Sequence, residues 1–80
     1  MPPENSPRVR ALDVRPLIAR GEEPFPAIMA AVARLAPGES LALTTPFLPS
    51  PLIERLKGDG FRARPERRAD GSWRTLFERD

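Results

Sequence analysis

The stretch PFPAIMAAVARLAPGESLALT, residues 24–44, decides how the rest of the chain is read. Phe25, Ile28, Met29, Val32 and Leu35 recur at helical spacing and fall on one stripe, and Ala27, Ala30, Ala31 and Ala33 add strong helix formers. Pro37-Gly38 then stops the helix, so the pattern predicts one over residues 24–36. Directly afterwards Leu41 and Leu43 alternate with Ser40, Ala42 and Thr44, which predicts a strand over residues 39–45. A helix feeding straight into a strand points away from a helix bundle or an all-β sandwich and toward mixed α and β layers.

The flanks extend this reading. Upstream, Val9, Leu12 and Val14 predict a short strand over residues 8–14, closed by Pro16, which has no ladder N–H to give. Residues 17–23 read as a connector, and residues 1–7 as a proline-rich disordered leader. Downstream, Pro46, Pro49 and Pro51 force a loop, with Ser50 as an N-cap and Pro51 at the first helical position. Leu52, Ile53 and Leu56 make the stripe of a second short helix, which Gly58 and Gly60 close. Phe61, Ala63 and Pro65 then alternate with Arg62, Arg64 and Glu66, and Asp70-Gly71 signals a two-residue hairpin. In the last strand Trp73, Thr75 and Phe77 share one side, and Arg74, Leu76 and Glu78 the other. The expected fold is α+β, a two-layer α/β sandwich in the order β-α-β-α-β-β, with a four-stranded mixed sheet and two helices on one face. It forms one domain over residues 8–80, with Leu12, Val14, Ile28, Val32, Leu35, Leu41, Leu43, Leu52, Leu56, Phe61, Trp73 and Phe77 as its core.

Composition then limits the chemistry. The 80 residues contain no cysteine and no histidine, which removes thiol catalysis, disulfides, Cys/His zinc sites and the usual general base. No nucleophile elbow, dinucleotide fingerprint or P-loop occurs, so an enzyme is not expected, and neither cofactor nor metal is called for. Net charge is only +2, although residues 61–75 carry five arginines against Glu66 and Asp70. No apolar run suits a membrane span.

Three segments together resemble a known pattern: Leu12-Asp13-Val14-Arg15, Glu23-Pro24-Phe25-Pro26 at a helix start, and Pro37-Gly38-Glu39-Ser40-Leu41. They are similar to the TusA/SirA-like sulfur-carrier fold, in which Cys-Pro-x-Pro opens the first helix and Pro-Gly-Glu precedes the second strand. Pro49-Ser50-Pro51-Leu52 and Gly71-Ser72-Trp73-Arg74 look more like its side branch, the domain of unknown function 2249. The resemblance runs from Val9 to Arg79 and implies a cytoplasmic module with protein partners. It departs at the decisive position. Glu23 stands where a carrier has its cysteine, and a carboxylate cannot hold a persulfide. Phe47-Leu48 likewise stands where the side branch is expected to have a polar loop.

Two surfaces remain as candidates. The first combines a helix start and a loop, with Glu23, Pro24, Phe25, Pro26, Phe47, Leu48 and Pro49 as partner-binding residues. Prolines around Phe47-Leu48 would reduce the entropy lost on binding. The plainer readings are helix-end electrostatics for Glu22 and Glu23, and a Phe47 folded back on the domain. The second surface is an anion-binding sheet face carrying Arg62, Arg64 and Arg74, open to a nucleic acid or small anion. Against it, the aromatics fall on the opposite side, whereas RNA-binding sheets display theirs. A protein partner is therefore the first expectation and nucleic acid the second, with the chain a monomer or weak homodimer.

Overall fold

The computed structural model describes residues 8–79, and the expected leader over residues 1–7 lies outside the described residues. Its elements are β1 (Arg8–Asp13), α1 (Arg15–Ala19), α2 (Phe25–Ala33), β2 (Glu39–Thr45), α3 (Ser50–Gly58), β3 (Phe61–Arg67) and β4 (Trp73–Arg79). The strands form one mixed sheet in the order β1-β2-β4-β3. β1 and β2 are parallel, and β4 runs antiparallel to both β2 and β3. The β2-α3-β3 passage therefore leaves a slot, which β4 fills by returning through the final hairpin.

Alternation assigns the two faces. Leu41, Leu43 and Phe77 lie on the helix-covered face and are fully buried with Val14 and Leu56, joined by Ile28, Val32, Leu35, Leu52 and Phe61. Leu12 and Trp73, both expected in the core, are only half-buried. Leu12 is on the edge strand, and Trp73 is the first residue of β4, so each lacks cover on one side. Ala42 is buried although it belongs to the other face, because Leu76 stands directly beside it in the ladder.

The local departures from expectation have local causes. Pro16 does not simply end a strand; it occupies the first turn of α1, so the expected connector contains an extra helical turn, giving three helices. Asp13 sets this turn by accepting the Arg15 N–H at 3.0 Å. α2 stops at Ala33, short of Ala36, and a turn follows in which the Glu39 N–H donates to the Ala36 carbonyl at 2.9 Å. Pro37 and Gly38, with Gly38 at φ +85°, give this turn the type II sequence signature. Ser50 is not an N-cap. Pro49 takes that position at φ −84°, ψ 63°, an inverse γ-turn in which the Ser50 N–H donates to the Leu48 carbonyl at 2.9 Å.

The final hairpin is also different. The Gly71 N–H donates to the Arg68 carbonyl at 3.0 Å and the Arg68 N–H to the Ser72 carbonyl at 2.8 Å, which makes a three-residue loop of Ala69, Asp70 and Gly71. Gly71, at φ +88°, supplies the left-handed residue such a loop needs. A two-residue loop at Asp70-Gly71 would shift the register by one and set Arg64 opposite Phe77. The observed register pairs Ala63 with Phe77 and Arg64 with Leu76, so the hydrophobic pattern overrides the turn signal.

Two predictions arise here. Thr75 is fully buried, and its Oγ1 has no hydrogen-bond partner among the described residues. Thr75→Val removes that unmet hydroxyl while keeping the shape, and should stabilise the chain by about 1 kcal/mol. A urea midpoint that falls would show that the hydroxyl is satisfied. Second, three carboxylates are held below the ordinary range: Glu39 by the Ala36 N–H and then Arg10, Asp13 by Arg15, and Asp70 by the Ser72 hydroxyl and N–H. A depressed folded-state pKa contributes stability above the unfolded value, and that contribution is lost as pH falls through the folded one. Stability should thus be level above about pH 5 and decline from about pH 4 downward, as followed by urea unfolding across pH. A flat profile through that range would contradict the assignment.

Candidate functional site

At the carboxyl ends of β1 and β2 the chain leaves the sheet for α1 and for α3, while α2 begins alongside. The space between is an apolar groove of about 380 Å³. Val14, Ile28, Thr45 and Leu52 line it from the core side, Pro24 and Phe25 from the start of α2, and Phe47 and Pro49 from the loop before α3. Glu23 and Arg55 are its charged lining residues. Phe47 is 52% exposed, Leu48 40% and Phe25 38%, an unusual concentration of large apolar surface for so small a domain.

The groove walls are fixed by backbone chemistry. Pro49 is buried, and its inverse γ-turn ends the loop directly on the first turn of α3. The Thr45 hydroxyl donates to the Phe47 carbonyl, tying the loop back to the end of β2. On the opposite wall Glu23 Oε1 accepts the Phe25 N–H at 3.3 Å, and the Arg55 guanidinium stands 5.8 Å from the Phe25 ring centroid. Phe25 is thereby held between a helix start and a cation from α3.

Of the seven residues expected to bind a partner, Glu23, Pro24, Phe25, Phe47 and Pro49 line this one groove. Pro26 and Leu48 do not line it, although Leu48 is exposed in the same loop. The sequence reading missed Val14, Ile18, Ile28, Thr45, Pro51, Leu52 and Arg55 as lining residues. Most carry apolar periodicity, which reads as core, and only contact with the loop reveals their second role.

The other sheet face also forms as expected. Arg62 pairs across from Glu78, Arg64 from Leu76, and Glu66 from Arg74, so Arg62, Arg64 and Arg74 are co-facial. Arg64 Nη2 stands 3.2 Å from Glu78 Oε1. Phe61 and Phe77 are buried on the reverse side, and Arg79 lies over Phe61 at 4.9 Å. This face holds arginine and carboxylate side by side, with no aromatic platform.

Against known proteins, a family described as "Uncharacterized conserved protein (DUF2249)" matches residues 11–79. The chain belongs to the DUF2249 family. No curated protein and no solved structure matches it. In this DUF2249 chain the matched residues include the groove, the three helices around it, and the arginine-bearing sheet face. Among the described residues no group of three or more carboxylates is placed to hold a metal ion, and no helix is long and apolar enough to cross a membrane.

Proposed function

We propose that this DUF2249 chain is a small, non-catalytic binding module that recognises a protein partner through the groove between the start of α2 and the loop over residues 46–49. The observation that carries the reading is a groove with a buried floor lined by the exposed Phe25 and Phe47, with the exposed Leu48 next to Phe47 in the same loop. The occupant is a partner segment offering a bulky apolar side chain, with a basic group toward Glu23 and an acidic one toward Arg55. Prolines in the loop hold it near one conformation, which reduces the ordering cost of association.

The absence of thiol and imidazole supports a role in recognition without chemistry. The resemblance to TusA/SirA-like sulfur carriers supports it further. The helix that presents a sulfur-bearing cysteine in those proteins is preceded here by Glu23, so a scaffold built for handing sulfur between proteins would keep its docking surfaces and lose its cargo. On this reading the module works in the cytoplasm.

The test is quantitative affinity capture with the wild-type chain and the Phe47→Ala/Leu48→Ala variant. Partners retained by the wild type should be depleted from the variant. Equal recovery of the same proteins would remove the loop from the interface.

A further inference from the structure

A separate polar cavity of about 260 Å³ opens at one end of the uncovered sheet face. Arg15 from α1, Arg68 at the base of the β3–β4 hairpin and Arg74 from β4 converge on it, beside Thr44 and Ser72. Its remaining wall includes Ala11 and Ala42, whose small side chains leave room for a ligand to approach the sheet.

The charges there are not equivalent. Arg15 is already engaged, with Nη2 at 2.7 Å and Nε at 3.0 and 3.1 Å from the Asp13 carboxylate. Asp70 also lines the cavity, but its carboxylate is occupied: Oδ1 accepts the Ser72 N–H at 2.9 Å and the Ser72 hydroxyl at 2.6 Å, and Oδ2 faces Arg15 Nη1 at 3.4 Å. Arg68 and Arg74 close no ion pair within 4.0 Å of a described carboxylate, even though Glu66 stands across the ladder from Arg74. Two arginines without a close ion pair thus line one small space, Arg68 acting on Asp70 only through longer-range attraction, next to a third cation held by two aspartates.

We infer that this cavity binds the phosphate group of a small phosphorylated molecule, with Arg68 and Arg74 as its principal donors and Arg15 as a fixed third cation. Paired guanidinium forks match the several oxygens of a tetrahedral dianion better than a single carboxylate. The absence of an aromatic on this face argues against stacked bases and so against single-stranded nucleic acid. The assignment moves the anion-binding centre away from Arg62 and Arg64, keeping only Arg74 from the sequence-level trio.

Amide chemical-shift titration of the intact chain with inorganic phosphate, glycerol phosphate and an RNA oligomer tests this. Saturable shifts should cluster at Thr44 and over residues 68–74 with both phosphates, and tighter binding of glycerol phosphate would identify a monoester as the preferred form. Arg68→Gln and Arg74→Ala should each weaken binding about tenfold, whereas Arg34→Ala, which removes the same unit of charge at the end of α2, should change it less than about twofold. Absence of saturable shifts, equal losses in all three variants, or binding by RNA alone would overturn the proposal.

Discussion

Phe77→Ala should remove between about a quarter and all of the chain's folding stability. Phe77 is fully buried in β4, an interior strand, with Leu41 of β2 and Ala63 of β3 as its ladder neighbours. It belongs to the single cluster that joins α2, α3 and the sheet. Truncating a buried phenylalanine costs about 3–5 kcal/mol, because the lost transfer energy adds to that of the cavity left behind. A chain of this length is expected to hold only about 4–12 kcal/mol in total. It has no disulfide with which to restrain the unfolded state. Urea unfolding should therefore show a midpoint lowered by at least about a quarter of the wild-type value. A loss below about 1 kcal/mol would mean that the core is not centred on β4.

The second large effect concerns binding. Phe47→Ala/Leu48→Ala should weaken partner association by about thirtyfold or more, since truncated anchors in desolvated pockets typically cost about 2 kcal/mol or more. Both residues are exposed in the free chain, so stability should change by no more than about 0.5 kcal/mol per residue. That separation matters: a variant with weakened binding and an unchanged urea midpoint has lost a surface, whereas one with both reduced has lost its fold. Adding Phe25→Ala should deepen the loss less than additively, because Phe25 and Phe47 line the same groove.

The sheet was readable from the chain because its strands alternate strongly. Leu41-Ala42-Leu43 and Trp73-Arg74-Thr75-Leu76-Phe77 each admit one face assignment. The same alternation corrects the hairpin, since only a three-residue loop keeps Ala63 opposite Phe77. What escaped reading was short-range proline chemistry. Pro16 served equally well as a strand stop or a helix start, and the Arg15 N–H to Asp13 bond selects the second. Ser50 preceded a proline as a capping residue would, but the inverse γ-turn at Pro49 occupies that place.

The groove was legible only on its outer side. Glu23, Pro24, Phe25, Phe47 and Pro49 attracted notice through their types, whereas its inner wall shares the periodicity of the core. Arg15 and Arg68 could not be linked to Arg74 by spacing, because they come from α1 and the base of a hairpin, far apart in sequence. Long-range convergence of this kind depends on strand order, and no local pattern encodes it.

The most direct measurement is site-specific photocrosslinking in living cells from a photoreactive residue at position 47, with position 34 as the comparison. Crosslinking from position 47 should give a discrete adduct with one or a few proteins, and Phe25→Ala should abolish it. No adduct at position 47, or the same adducts from both positions, would contradict a recognition groove at this end of the sheet.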